Sequence, residues 1–184
     1  MSLERRGRLI LEVTLHHEPS GRYGVRRRLF LAKHVGESMG HVVMKWLSWA
    51  LFFEDGLEIE ASAQQHYKPD LLAVGEDGRP RVWIDCGSTS LRKLEEIVRR
   101  NGAARFVIVK PYPRALRRYA EQAVARLGAD APVTWVAFDD GFVDALASRL
   151  VKRHHVTATV PAGRTALYLE VDGATMHTAV HGAA

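Results

Sequence analysis

The chain has 184 residues, of which 47% are hydrophobic and 26% are charged. This length and composition suit one compact domain, spanning residues 1–184, with a hydrophobic core of its own. The single cysteine, Cys86, excludes an intramolecular disulfide and a thiolate cluster for zinc or an iron–sulfur centre.

The formal net charge of +5 favours a polyanionic partner such as nucleic acid, because Lys and Arg displace counterions from a phosphate backbone. Several solvated helix faces are the alternative interpretation, and the charge does not separate the two. The basic residues are bunched at Arg26-Arg27-Arg28, Arg92-Lys93, Arg99-Arg100, Arg114 with Arg117-Arg118, and Lys152-Arg153.

The sequence lacks the patterns of an exported or a membrane protein. The charged start, residues 1–8, leads into no apolar signal stretch. No run of about eighteen uncharged apolar residues follows it. We therefore expect a cytoplasmic protein with no membrane partner.

The first elements in chain order form a β-hairpin and a long helix. Residues 9–15 and 27–32 have strand-like patterns on either side of a turn at residues 18–22, which predicts a hairpin. Helical spacing then covers residues 37–53, with Asp55-Gly56 as a stop. The predicted apolar stripe of this helix consists of Val42, Val43, Trp46, Leu47, Ala50 and Leu51.

Three short strands follow at residues 57–61, 70–74 and 81–85, the last two joined by a Gly- and Pro-containing turn. This spacing predicts an antiparallel meander. Ser90 is then a candidate N-cap for a second helix, and Asn101-Gly102 is a common helix stop.

The rest of the chain alternates strand and helix before a β-rich tail. The predicted elements are a strand at 105–109, a helix from Pro111-Tyr112-Pro113 to about residue 127, a strand at 133–138, a helix at 142–151, and tail strands at 155–160, 166–171 and 175–180. This order predicts an α/β fold in which a mixed sheet is flanked by helices.

Two acidic residues lie at the ends of neighbouring predicted strands. Lys68-Pro69-Asp70 opens one strand, and Asp85-Cys86-Gly87 ends the next, so antiparallel pairing places the two carboxylates close together. A carboxylate at the end of an apolar strand needs backbone donors, a cation or a metal. Clustered carboxylates suit Mg²⁺ or Mn²⁺, which can activate water for phosphodiester hydrolysis. Alternatively, Asp85 caps the next helix and Asp70 is a turn residue.

Other reactive or aromatic residues have a structural interpretation. Adjacent histidines on a strand point apart, so the nine histidines predict no zinc site. The Cys86 side chain is expected on the face opposite Asp85, packed in the core. Aromatic residues at helical spacing are more often core than a stacking platform for bases, and this applies to Trp46, Trp49, Phe52 and Phe53.

Several motifs occur in a fixed order along nearly the whole chain. They are His34-Val35-Gly36-Glu37 leading to Lys45-Trp46-Leu47-Ser48-Trp49, then Pro69-Asp70, the strand Val82-Trp83-Ile84-Asp85-Cys86-Gly87, a basic helix, Val133-Thr134-Trp135-Val136 and the β-rich tail. In these motifs and their order the chain resembles the YaeQ family, a branch of the PD-(D/E)XK nuclease superfamily. The resemblance implies a restriction-endonuclease-like core between an N-terminal β-hairpin and a β-rich C-terminal tail.

The resemblance also implies a set of metal ligands. In the superfamily a Glu from the first core helix joins the two motif acids, so Glu37, Asp70 and Asp85 are the implied metal-binding and catalytic residues. His41, one helical turn after Glu37, is a candidate accessory residue on the same face as Glu37 and Lys45.

The basic residue that the superfamily places near the second acid is expected at a different position in this sequence. Superfamily members usually have a Lys two residues after the second acid, where this chain has Gly87. Relatives of this branch supply the cation from the following helix, which implies Lys93, or failing it Arg92, as the catalytic cation. Lys68 is a further candidate accessory residue.

Three functions are compatible with this sequence. The first is a nuclease dependent on Mg²⁺ or Mn²⁺ that hydrolyses phosphodiester bonds of DNA or RNA. The second is a catalytically weak or inactive nuclease-fold protein with a nucleic-acid-binding or transcription-related regulatory role. The third is a protein-interaction domain whose basic faces meet an acidic partner.

Overall fold

The computed structural model describes residues 8–182, and the charged segment at residues 1–7 lies outside the described residues. The elements in chain order are β1 (Arg8–His17), a short 3-10 helix (Glu18–Ser20), β2 (Arg22–Ala32), α1 (Met39–Leu51), β3 (Glu58–Ile59), β4 (Leu71–Val74), β5 (Pro80–Cys86), α2 (Leu91–Arg100), β6 (Arg105–Lys110), α3 (Pro113–Leu127), β7 (Val133–Phe138), α4 (Phe142–Arg149), β8 (Arg153–Val160), β9 (Ala166–Val171) and β10 (Ala174–His181).

All ten strands belong to one mixed sheet in the order β2-β1-β8-β9-β10-β7-β6-β5-β4-β3. The pairs β1–β8, β5–β6 and β6–β7 are parallel, and the other neighbours are antiparallel. The predicted α/β class, with a mixed sheet flanked by helices, is therefore confirmed. So are the opening hairpin, β1–β2, and the antiparallel meander, β3–β4–β5.

Helix α1 packs against one face of the sheet and is buried along most of its length. The Ser38 side chain accepts a hydrogen bond from His41 N at 3.1 Å, so the helix begins at Met39 rather than at residue 37 as predicted. Every residue from Val42 to Leu51 is buried. The predicted core role of the aromatic residues is confirmed, because Trp46, Trp49, Phe52 and Phe53 are all buried.

Helices α2 and α3 cover the other face of the sheet, over strands β4 to β7. Strand alternation assigns the side chains of β5 to the two faces: Ile84 and Cys86 join the core cluster under α1, whereas Trp83 joins the cluster with α2 and α3. Asp85, between Ile84 and Cys86, shares the face of Trp83. The prediction that Cys86 packs in the core opposite Asp85 is confirmed.

Most predicted elements are observed with shifts of a few residues at their ends. Strand β2 is longer than predicted, because it begins at Arg22 instead of residue 27. Strand β3 is shorter, with two residues where five were predicted. It ends where Glu60 takes a left-handed backbone conformation with φ of 61°, which an extended strand does not contain. No helix within residues 8–182 has both the length and the apolar character needed to cross a bilayer.

Candidate functional site

Asp70 and Asp85 lie next to each other where β4 and β5 meet. Asp70 immediately precedes β4, and the register pairs the next residue, Leu71, with Ile84, the residue before Asp85. Asp70 N donates to Ile84 O at 3.0 Å, and Cys86 N donates to Asp70 Oδ2 at 2.7 Å. Asp70 thus bonds to the residues on both sides of Asp85, and its charge acts on the pKa of Asp85. The structure therefore brings these two predicted site residues together.

Asp70 is held in its ionised form by its surroundings. Burial by itself raises the pKa of Asp70. The hydrogen bond and charge of His41, together with the Cys86 N–H, outweigh burial and lower this pKa below its usual value. His41 Nε2 lies 2.9 Å from Asp70 Oδ1. The candidate accessory residue His41 thus contacts a candidate metal ligand directly.

Asp85 is almost completely buried, with 1% of its surface exposed. Lys93 Nζ lies 2.8 Å from Asp85 Oδ2, and Trp83 Nε1 donates to Asp85 Oδ1 at 3.3 Å. Burial raises the pKa of Asp85, and the charge of Lys93 only partly offsets this effect. Lys93, the predicted cation, is therefore the counterion of the second acid.

The other two candidate basic residues lie differently. Arg92 is exposed and forms no ion pair within residues 8–182. Lys68 has an exposed side chain, and its backbone oxygen accepts a hydrogen bond from Lys93 Nζ at 3.0 Å. Lys68 thus contacts the site through its main chain, where it helps to hold Lys93 beside Asp85.

Glu37 contacts His41, the partner of Asp70, and is bound to a lysine. Its Oε1 atom lies 2.5 Å from Lys45 Nζ and 3.6 Å from His41 Nε2, and its Oε2 atom accepts a hydrogen bond from His34 N at 2.9 Å. His41 therefore lies between Glu37 and Asp70 and contacts both. The predicted common face of Glu37, His41 and Lys45 is confirmed, although Glu37 precedes the helix.

Glu60 is a member of this cluster that the sequence did not indicate. Its Oε1 atom lies 2.7 Å from Lys45 Nζ and 3.1 Å from His34 Nε2. Within residues 8–182, His34, Glu37 and Glu60 are the group whose ligand atoms all lie within 4.8 Å of one another, and Glu37 forms no such group with the two aspartates. The Lys45 ammonium contacts both glutamates and balances part of their negative charge.

Gly87 occupies a position that a larger residue would disturb. Its φ is +68°, and a Cβ atom there would lie 3.0 Å from His41 Nδ1. A side chain at residue 87 would therefore strain the backbone and displace the imidazole that contacts Asp70. The close approach of His41 thus accounts for a residue without a side chain at this position.

Lys110 is a second site residue that the sequence did not indicate. It ends β6, beside the end of β5, and its Nζ donates to Gly87 O at 2.5 Å. Burial lowers the pKa of Lys110 to about 8, although the charge of Asp85 opposes this effect. The chain thus places an ammonium next to Gly87 from a different strand.

The chemistry of Asp70 and Asp85 fits a hard divalent cation. Mg²⁺ and Mn²⁺ prefer carboxylate oxygens, and Mg²⁺ commonly takes one or two carboxylates from the protein. Two neighbouring carboxylates at the end of a strand pair are such a donor set. If a divalent ion binds here, Asp70 and Asp85 are the residues that would hold it, whereas Glu37 is engaged by Lys45.

Comparison with known proteins assigns the chain to a family. The profile described as YaeQ protein matches residues 12–180, which is most of the chain. The chain belongs to the YaeQ family. No match to this YaeQ-family chain is found among curated proteins.

Two solved YaeQ structures share the fold. The YaeQ protein from Xanthomonas axonopodis pv. citri is similar with a TM-score of 0.81 and 18% identity, covering 96% of this chain and 97% of that one. The YaeQ protein from Pseudomonas syringae is similar with a TM-score of 0.82 and 16% identity, covering 98% and 97% respectively. At these identities the two structures establish the fold alone.

Proposed function

We propose that this chain is a nuclease of the PD-(D/E)XK type that hydrolyses phosphodiester bonds of nucleic acid with Mg²⁺ or Mn²⁺. The observation that supports this most is the position of Asp70, just before β4, hydrogen-bonded to the residues on both sides of Asp85 in β5. Each of these acids has a basic residue within 2.9 Å, His41 and Lys93 respectively.

Each residue has a defined part in this proposal. A bound divalent ion would supply an activated water and stabilise negative charge on the phosphate. Asp70, ionised through its contact with His41, and Asp85 would bind that ion. Lys93, on the first turn of α2, would hold a positive charge beside Asp85 and the phosphate. His41 would keep Asp70 and Glu37 oriented.

The test is cleavage of single- and double-stranded DNA and RNA with Mn²⁺ or with EDTA. Asp70→Asn and Asp85→Asn remove the two carboxylates, and each should lower the cleavage rate by about 100-fold or more. Glu170→Gln is the matched control, because it removes an exposed carboxylate from β9 in the other half of the sheet. Equal rates for the wild type and Asp70→Asn would refute the proposal.

A specific observation supports a second function, which is binding of nucleic acid without hydrolysis. Each candidate metal ligand already contacts a basic side chain: His41 on Asp70, Lys93 on Asp85 and Lys45 on Glu37. Such a site is satisfied without a metal. Salt-dependent binding that is unchanged by EDTA, with no cleavage of any substrate, would select this regulatory role over the nuclease.

A further inference from the structure

A cleft opens just beyond the end of β5, at Gly87. Its volume is about 1000 Å³, and it lies between the loop that precedes α2 and the first turns of α3. The polar and charged residues that line it include Ser88, Ser90, Lys110, Arg114 and Arg118. Catalytic and binding residues are often found in such a cleft beside strand ends.

The charge of the cleft is entirely positive. Three cationic side chains line it, and no acidic residue is part of its lining within the described chain. Arg114 and Arg118 are four residues apart on α3 and therefore share one face of that helix. The N-terminal ends of α2 and α3 also meet the cleft, and helix N-termini favour anions.

Lys110 forms a buried part of the cleft lining and lacks a carboxylate partner. Only 7% of its surface is exposed, and it forms no ion pair within residues 8–182. Its ammonium instead contacts the Gly87 carbonyl and lies 3.8 Å from the centre of the Tyr119 ring. Burying a cation without an ion-pair partner is unfavourable, so an anion in the cleft would stabilise it.

We propose that this cleft binds the phosphate group of a phosphate ester, and that the group is the terminal phosphate of a nucleic-acid strand. Lys110, Arg114 and Arg118 would neutralise the phosphate, and the hydroxyls of Ser88 and Ser90 would donate hydrogen bonds to it.

The remaining volume would hold the attached nucleoside. A space of this size exceeds what one phosphate occupies and is typical of sites for small organic ligands. Tyr112, which is 42% exposed, also lines the cleft and offers a ring on which a base could stack. An aromatic surface next to three cations matches a nucleotide unit better than it matches a free anion.

This proposal deepens the proposed function and rests on it for the choice of a nucleic-acid strand. Binding is therefore measured in EDTA, where no cleavage contributes. A chain that cleaves without preferring phosphorylated ends would retain the nuclease proposal and lose this one. A chain that prefers phosphorylated ends but cleaves no substrate would support this proposal and refute the nuclease proposal.

The experiment compares fluorescence anisotropy of single-stranded oligonucleotides that carry either a terminal phosphate or a terminal hydroxyl. Separate arms place the phosphate at the 5′ or the 3′ end, and a nucleoside monophosphate is titrated by calorimetry. We expect at least one phosphorylated strand to bind about tenfold or more tightly than its hydroxyl counterpart. If the nucleoside monophosphate binds and no phosphorylated strand is preferred, the ligand is a free nucleotide. That result would contradict the proposed strand terminus.

Variants connect the binding to the cleft. Lys110→Met and the double variant Arg114→Gln with Arg118→Gln should each abolish the preference for the phosphorylated end. Arg117→Gln is the matched control, because Arg117 is exposed on the same helix and does not line the cleft. Equal losses in the control and the double variant would overturn the proposal. The double variant changes exposed residues only, so it decides the outcome even if Lys110→Met fails to fold.

Discussion

Asp85 illustrates at the residue scale how this site differs from a surface cluster of charges. The side chain is nearly fully buried, and burial raises its pKa even though Lys93 lies 2.8 Å away. The folded state therefore disfavours the ionised carboxylate that the proposed chemistry needs. The buried Asp85 carboxylate therefore lowers the stability of the folded protein. Residues that serve a function commonly have this effect.

Lys93→Met should destabilise the protein in a way that depends on pH. The variant leaves Asp85 buried without its counterion, and we expect the free energy of unfolding to fall by about 3 kcal/mol at pH 8. The pKa of Asp85 is raised in the folded state, so a protonated Asp85 stabilises at low pH and this contribution is lost as pH rises. The loss should therefore be smaller at pH 5. Urea unfolding at both pH values measures it.

Two further variants control this experiment. Adding Asp85→Asn to Lys93→Met removes the buried charge and should restore most of the lost stability at pH 8. Arg92→Met changes the exposed neighbouring residue and should alter stability by no more than about 0.5 kcal/mol. A loss of equal size at pH 5 and pH 8 would show that Lys93 acts through packing instead.

At the scale of an element, helix α1 combines a buried surface with a charged side chain. It is buried from Val42 to Leu51, yet it includes Lys45, of which only 3% is exposed. Burial lowers the pKa of Lys45, but hydrogen bonds and charges from Glu37 and Glu60 outweigh burial and raise it. The helix therefore accepts a buried lysine because two segments outside it supply carboxylates.

Lys45→Met should cost about 3 kcal/mol of unfolding free energy, because two carboxylates lose their common cation. The apolar replacement fits a helix that is otherwise buried, so the loss reflects charge rather than volume. Adding Glu37→Gln should recover part of it. Chemical denaturation at pH 7 measures the effect, with Lys33→Met as an exposed control. If the second change brings no recovery, the charge explanation is wrong.

At the scale of the whole molecule, the two halves of the ten-stranded sheet are joined by a short strand pairing. Strands β10 and β7 pair through only two positions, Val180 with Phe138 and His181 with Ala137. Asp139 reinforces this connection, because its carboxylate accepts a hydrogen bond from Ala179 N at 2.8 Å and lies 2.7 Å from His181 Nε2.

Asp139→Asn should make the molecule less stable at neutral pH, by about 1 kcal/mol. The hydrogen bond from His181, followed by that from Ala179 N, lowers the pKa of Asp139 from its usual value. The stabilisation is complete above the unfolded-state pKa and is lost as pH falls through the lower folded-state value. Thermal unfolding from pH 7 to pH 3 should thus show the wild type and variant converging below about pH 4.

Asp140→Asn is the control for this experiment, because Asp140 is the exposed neighbour of Asp139. It should leave the pH dependence unchanged. Parallel pH profiles for the wild type and Asp139→Asn would contradict a role of this carboxylate in holding the two halves of the sheet.

Two of the basic clusters lie far apart along the sheet. Arg26, Arg27 and Arg28 lie on β2, the edge strand, whereas Arg114 and Arg118 line the cleft beside β5 and β6. Six strand spacings separate β2 from β6, which is roughly 29 Å in a flat sheet. One groove therefore does not contain all the clusters, and charges on β2 have the separate effect of discouraging edge-to-edge pairing.

The sequence by itself determined the helices and strands, most of their ends to within two residues, and the family. Alternating and helical periodicities reflect burial of one face, and caps such as Ser90 act within a few residues, so local patterns are sufficient. The meeting of Asp70 with Asp85 was also predictable, because a short turn joins their strands. Lys93, by contrast, was a candidate only through the family resemblance, which implies a cation from the helix after Asp85.

Only the tertiary structure decided which distant residues complete the site. Glu60 reaches Lys45 because a left-handed residue ends β3 early, and Lys110 reaches Gly87 because β6 is parallel to β5 across an intervening helix. Neither contact leaves a periodic or capping signal in the sequence. Such contacts depend on strand order and on where each strand ends, and these follow from the packing of the whole sheet rather than from local preferences.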